Sequence, residues 1–379
     1  MIELSGIAAQ QKRLGALTTT AASAVIRRGD FILGDEVATL ENRLAQQVGR
    51  RCCVSCGSGT DALALMLMAE GIGEGDAVFV PAFTFAATAD TVVMQGATPV
   101  FVDVDEETMC LSPGRLRAAA ERVRAGGRLR PRAVIAVDLF GHPADYGAIC
   151  AVAEQMGMTV LEDAAQSLGA CRGTQAAGSF GRLSGTSFFP TKPLGCWGDG
   201  GAVFTDCPDT AELLRSLRVH GRGKSRYEYE RIGMNSRLDT IQAAVLLAKL
   251  DPFYRRELPA RRNLAARYTA RLSGIVRTPA VRAGDLPSWA QYTIRLKNRR
   301  QRERLRQFLS ARSIPTGIYY PKPLPLQAAF ENFAGVERFP VSEALSETVL
   351  SLPMHAYVSD GQFELIARAV EDFMRMGDC

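Results

Sequence analysis

The chain has 379 residues, 47% of them hydrophobic, and 45 Lys and Arg against 40 Asp and Glu give a net charge of +5. That length exceeds one ordinary core and predicts two domains, while the mild basic excess, concentrated at residues 117–132 and 297–306, reads as solvated helix faces and loops rather than a nucleic-acid surface. No apolar run reaches the ~18 residues of a membrane helix, Met1-Ile-Glu-Leu lacks the basic-then-apolar start of a secretory signal, and nine dispersed cysteines fit a reducing cytoplasm.

Residues 37–48 have helical spacing, with Leu40, Leu44 and Val48 on one face. Residues 51–56 read as a strand running into the glycine turn Gly57-Ser-Gly-Thr-Asp61, and a helix over 62–70 follows. Cys53-Val-Ser-Cys56 is a CxxC, but no second CxxC or paired histidine completes a zinc set, so no metal site is expected. Residues 77–80 form a buried strand stopped by Pro81, and residues 98–102 form another, followed by Asp103-Val-Asp105. Residues 133–137 and 159–161 repeat the theme, each an apolar strand after a helical stretch with a polar residue beyond its end. Alternating strands and helices predict an α/β fold with a mostly parallel sheet covered on both faces. Such sheets bind ligands beyond the carboxyl ends of their strands. Residues 57–61, 81–88 and 162–166 are therefore candidates for one site.

The strand-like run 185–189 leads through Lys192 into Gly195-Cys-Trp-Gly-Asp-Gly-Gly201, four glycines in seven residues. After Arg237 a helical stretch runs through Leu250 towards Arg271, with Pro252 and Pro259 as expected bends. It links to a second domain with a strand at 291–296, a helix at 300–311 and a last helix at 362–374. The expected division is a large domain over 1–250 and a smaller α+β domain over 251–379.

A lysine that attacks a carbonyl needs a shielded pocket, where desolvation lowers its pKa. Flexible glycine backbone lets a flat ring come close to Lys192. Read alone, the segment fits a loop lysine on the surface equally well. Asp163 stands 29 residues upstream, just past the strand 158–161. There it suits a carboxylate that keeps a pyridine nitrogen protonated, and equally a helix cap. Gly57–Asp61 ahead of a helix suits a phosphate, and equally a plain strand-to-helix turn. Phe85 suits a ring platform or core packing.

In order, Gly57-Ser-Gly-Thr-Asp61, Pro81-x-Phe-Thr-Phe-x-Ala-Thr88, Glu162-Asp-Ala-Ala-Gln-Ser167, Ser187-Phe-x-x-x-Lys192, Gly198-Asp-Gly-Gly201 and Asn235-Ser-Arg-Leu-Asp239 resemble the DegT/DnrJ/EryC1/StrS sugar aminotransferases. The likeness extends from Phe31-Ile-Leu-Gly34 to Leu352-Pro-Met-His355. It implies the PLP-dependent transferase fold of type I, aspartate aminotransferase-like, with a seven-stranded sheet. By that resemblance Lys192 carries pyridoxal 5'-phosphate as a Schiff base and shuttles protons. Asp163 pairs with the pyridine nitrogen, Gln166 bonds the ring hydroxyl and Phe85 stacks on the ring. Gly59, Thr60 and Ser187 hold the phosphate. Asn235 reaches the phosphate of a neighbouring subunit's cofactor, which implies a homodimer with shared sites.

Residues 186–201, 233–244 and Ala290-Gln-Tyr-Thr293 resemble the branch that aminates C3 of UDP-2-acetamido-2-deoxy-3-oxo-D-glucuronate for O-antigen sugars, with L-glutamate as donor and 2-oxoglutarate as product. There Arg237 would bind a substrate carboxylate, and an arginine fork suits one. Tyr319, followed by Tyr320, stands where that branch usually has His, and Trp197 where Tyr is common. Both tyrosines are taken as substrate contacts. The alternatives are a sibling that aminates another 3- or 4-oxo sugar nucleotide, a binding protein for pyridoxal phosphate or a sugar nucleotide, and a zinc module built on Cys53 and Cys56.

Overall fold

The computed structural model describes residues 2–225, 227–334 and 337–376. The strands of its main sheet are β1 (Cys52–Cys56), β2 (Asp76–Pro81), β3 (Thr98–Val102), β4 (Arg130–Val137) and β5 (Thr159–Asp163). The short hairpin β6 (Cys171–Arg172) and β7 (Gln175–Ala176) lies apart, and then β8 (Leu183–Ser187) and β9 (Gly201–Thr205) complete the sheet. The seven strands run in the order β1-β9-β8-β5-β4-β2-β3. β9 is antiparallel to both neighbours, and β8, β5, β4, β2 and β3 pair in parallel.

Side chains alternate across this sheet and both faces are buried. Val78, Val80, Ile135 and Val137 enter one core, while Ala77, Phe79, Val134 and Ala136 enter the other. That is why the strands read as unbroken apolar runs rather than alternating ones. The reversal at β9 places the 188–200 connection at the carboxyl edge, beside the ends of β1, β2, β4 and β5. Lys192 lies in that connection.

The expected elements are present with shifted ends. The helix expected from residue 62 begins at Gly59, because Ser58 Oγ accepts the N–H of Asp61 at 3.0 Å and caps it. The strand expected over 185–189 is Leu183–Ser187, which leaves Phe188 and Phe189 in the loop. The stretch beyond Arg237 forms helices Thr240–Pro252 and Leu258–Leu272, joined by a π-helical turn over Phe253–Glu257. Pro259 follows directly on the π-helical turn, in the first turn of the second helix.

Several helices, the first among them, escaped the pattern reading. α1 (Ile7–Arg28) packs on helix Thr240–Pro252 through Thr18, Ala22 and Val25, a buried stripe too small and polar to register as a period. Helix Pro113–Gly126, the helical stretch expected ahead of the strand 133–137, overlaps the first basic concentration and buries only Leu116, Ala119 and Ala120. The remaining strands are β10 (Asp285–Leu286), which pairs with β6, and the antiparallel pair β11 (Tyr292–Arg295) and β12 (Val349–Leu352). Around β11 and β12 a separate core gathers Tyr268, Ile294, Leu305, Leu350, Ile366 and Phe373, with Ile2 packed against it.

Candidate active site

At the carboxyl edge of the sheet lies a cavity of about 670 Å³. Strand register assembles its floor. Val137, Asp163 and Gly185 lie side by side on β4, β5 and β8, and Cys56, Gly201 and Ser187 on β1, β9 and β8. The three segments singled out from sequence come together here. Gly59 and Thr60, Phe85, Asp163 and Gln166, Ser187 and Lys192, and Tyr319 and Tyr320 all line this one cavity.

Asp163 ends β5 and is 7% exposed. Its Oδ1 accepts the N–H of Ala165 at 3.1 Å and its Oδ2 the hydroxyl of Thr88 at 3.4 Å. Burial pushes this carboxyl up, while those hydrogen bonds and the charge of Lys192 pull it down. Lys192 shows the converse: desolvation lowers its pKa and the charge of Asp163 opposes the shift. Both groups line the cavity.

The cradle beside them is built by close approach. α2 (Asp35–Val48) precedes β1, and α3 (Gly59–Ala69) follows it with Ser58 as its cap. Ser58 Oγ serves Asp61, so the N–H groups of Gly59 and Thr60 stand in the first turn without intrahelical partners. A Cβ on Gly59 would lie 2.6 Å from Ser187 Cβ, so only glycine lets the helix start approach the end of β8. The N-terminal end of a helix, two free N–H groups and two hydroxyls form an anion site.

The far wall is aromatic. Phe85 is 57% exposed, its ring open to the cavity rather than packed in the core. Tyr320 stands 6.4 Å from Phe85 and 6.0 Å from Phe83, centroid to centroid. Gln166 accepts the N–H of Phe140 at 2.6 Å through Oε1, and its Nε2 donates to the Tyr320 hydroxyl at 3.3 Å. Burial pushes the Tyr320 phenol up. A Cβ on Gly317 would lie 2.7 Å from the Tyr319 ring, so that ring rests on glycine.

Asn235 and Arg237 do not line this cavity. Asn235 is exposed, and Arg237 is half-buried with no ion-pair partner among the described residues. Ser236 between them accepts the N–H of Gly57 at 2.9 Å and donates to Asp61 at 2.7 Å, which fastens their segment to the helix start. Ser236 was not singled out from sequence, nor was Thr88, whose hydroxyl joins Thr84 at 3.3 Å and Asp163. The spacing of Thr84 and Thr88, one helical turn apart beside a strand end, was the available signal. Ser5 also lines the cavity, from a segment carrying no motif, as do Gln291 and Met354, which lie in the family-like segments Ala290–Thr293 and Leu352–His355 but carried no expected role. Cys53 and Cys56 are both buried in β1, and burial pushes both thiols up.

The chain matches the description "DegT/DnrJ/EryC1/StrS aminotransferase family" over residues 13–371. It is 42% identical to the UDP-2-acetamido-2-deoxy-3-oxo-D-glucuronate aminotransferase of Pseudomonas aeruginosa, over 98% of this chain and 99% of that protein. It is 40% identical to the UDP-N-acetyl-3-dehydro-alpha-D-glucosamine 3-aminotransferase of Acidithiobacillus ferrooxidans, over 91% of this chain and 90% of that protein. A crystal structure of a DegT DnrJ EryC1 StrS aminotransferase from Brucella abortus superposes with a TM-score of 0.96 at 46% identity, covering 99% of this chain and all of that one. The chain belongs to the DegT/DnrJ/EryC1/StrS aminotransferase family and is a pyridoxal-phosphate-dependent sugar aminotransferase.

Proposed function

We propose that this enzyme moves the amino group of L-glutamate to C3 of UDP-2-acetamido-2-deoxy-3-oxo-D-glucuronate, for an O-antigen sugar, as a cytoplasmic homodimer. The observation that carries the chemistry is the pairing of Lys192 with Asp163 across one cavity, beside the anion cradle at the start of α3. The sugar rests on likeness: both relatives are named for UDP-linked sugars oxidised at C3, one a uronate and one not.

The residues present fit pyridoxal phosphate. The N–H groups of Gly59 and Thr60 with the Ser187 hydroxyl suit its phosphate, Asp163 its ring nitrogen, Gln166 its hydroxyl and Phe85 its face. When bound, the cofactor supplies an electrophilic carbon for a primary amine and an electron sink for the bond broken beside it. Desolvation holds Lys192 Nζ towards the neutral amine, the form that is nucleophilic and basic. Lys192 Nζ, the amine lining the cavity, would take a proton from the donor carbon in one half-reaction and deliver one to the sugar carbon in the other. Asp163, held by the Ala165 N–H and the Thr88 hydroxyl, would meet the ring nitrogen with its carboxylate.

Asn235 and Arg237 are assigned to the neighbouring subunit's site and to a substrate carboxylate. Their place outside the cavity of their own chain supports that reading. So do the exposed apolar residues Phe31, Ile32, Phe189, Trp197 and Ile232, which favour burial against a second copy.

A panel of oxo-sugar nucleotides with L-glutamate tests the proposal. The UDP-linked 3-oxo uronate should give the highest kcat/KM, and a clear preference for a 4-oxo sugar or another nucleotide would overturn it. Lys192→Ala should abolish turnover and the visible cofactor band, and normal turnover would remove Lys192 from its role.

A further inference from the structure

A second buried lysine lies behind the first. Lys249, in helix Thr240–Pro252, is 5% exposed, and the chemistry above makes no use of it. Its Nζ donates to Gln10 Oε1 at 2.8 Å and to the carbonyl of Gly195 at 2.8 Å. Gly195 closes the loop that carries Lys192. A Cβ there would lie 2.6 Å from the carbonyl oxygen of Pro190 and 2.8 Å from that of Phe189, so the loop folds directly back on itself. Inside it the Lys192 N–H donates to the Phe189 carbonyl at 2.8 Å, and the Cys196 N–H to that of Phe188 at 2.8 Å.

The contact continues away from the loop. Gln10 Nε2 donates to both carboxylate oxygens of Glu257 at 3.0 Å, and the Tyr357 hydroxyl donates to Glu257 from the far side. Glu257 is 4% exposed and sits in the π-helical turn between the two long helices. Gln10, Pro190, Lys192, Glu257, Arg261 and Tyr357 line one small void beside the loop. α1, the helix pair and the stretch after β12 are thus linked in one hydrogen-bonded chain that meets the lysine loop through Lys249 at the Gly195 carbonyl.

We propose that Lys249, bridged through Gln10 to Glu257, is a positioning residue that clamps the Lys192 loop and sets where Lys192 Nζ stands in the cavity. A buried ammonium is costly unless fully hydrogen-bonded. Here burial lowers the lysine pKa and the Glu257 charge opposes it. An apolar residue would fill this place at less cost if packing were its only purpose. The inference rests on Lys192 as the cofactor lysine. If that reading fails, Lys192→Ala will still capture pyridoxal phosphate, whereas failure of the clamp leaves capture dependent on Lys192 and unchanged by Lys249→Met.

The test compares Lys249→Met and Gln10→Met with the wild type in three measurements. These are the rate at which cofactor-free protein captures added pyridoxal phosphate, followed by its visible band, kcat and KM for L-glutamate in the loaded enzyme, and the melting midpoint without cofactor. Misplacement of a reacting group by an ångström costs up to about a hundredfold in rate. Lys249→Met is expected to lower capture rate and kcat by roughly tenfold or more, with KM within about twofold. Gln10→Met keeps the Gly195 contact and should give a smaller loss of the same kind. Wild-type capture and kcat in a folded Lys249→Met protein would overturn the proposal. Losses no larger than the unfolded fraction would overturn it too. If Lys249→Met does not fold, Gln10→Met decides, and unchanged capture and kcat in that variant would contradict the clamp.

Discussion

Thr88 shows how the site is tuned one group at a time. Its hydroxyl is fully buried and donates to Asp163, on the carboxylate expected to meet the ring nitrogen. Removing the carboxylate with Asp163→Ala takes away an electrostatic stabiliser in a water-poor site. The expected loss is on the order of 3 kcal/mol, roughly a hundredfold or more in the single-turnover rate with glutamate. A near-normal rate would exclude Asp163 from that role. For Arg237, the expected result of Arg237→Gln is a raised KM for the UDP-linked 3-oxo uronate with little change for the analogue lacking the carboxylate. Equal changes for both would leave Arg237 without a part in acid recognition. Lys192, Asp163 and Gln166 were legible because each follows a strand end in a segment with its own motif. Thr88 and Ser236, though inside family-like motifs, and Lys249 carried no expected role, since their importance lies in partners 75, 175 and 239 residues away in sequence.

The start of α3 holds both a structural and a chemical duty. Ser58 caps the helix, and Ser58→Ala is expected to lower stability by about 1 kcal/mol, read as a lower melting midpoint. Gly59→Ala should fold but lose cofactor during gel filtration, because its new Cβ presses on Ser187. Adding Ser187→Gly in the same chain should restore part of that retention. If the double variant is as poor as the sum of the two singles, the contact is not the cause. The strands β2 to β5 were read from sequence because sheet burial on both faces gives short apolar runs ended by polar residues. α1 buries only a threonine, an alanine and a valine, so its buried face carried no readable period.

For the molecule as a whole, the shared-site proposal makes a direct expectation. Two inactive proteins, Lys192→Ala and Asn235→Ala, should regain activity when mixed under conditions that exchange subunits, since one site of each mixed dimer is then intact. No gain on mixing would contradict sharing. Stability should also respond to pH through His355. Its Nδ1 accepts the N–H of Tyr357 at 3.2 Å, and burial and Arg261 hold its pKa down to about 4, against an ordinary value of 6.5. The folded protein thus binds fewer protons than the unfolded one between those values. The histidine's share of stability is complete above about pH 6.5 and is lost as pH falls towards 4. Buried Asp138 and Glu162, whose carboxyls burial pushes up, work in the opposite direction. The histidine share is therefore read as a difference: His355→Gln should lose less of its melting midpoint than the wild type over that window, and parallel curves would contradict the assignment.

The identity of the lysine that holds the cofactor is the most direct point of test. The protein loaded with pyridoxal phosphate is reduced with borohydride, digested, and its peptides are mapped by mass. The added phosphopyridoxyl mass is expected on the peptide containing Lys192. Its appearance on the Lys249 peptide, on another lysine, or nowhere would contradict the account.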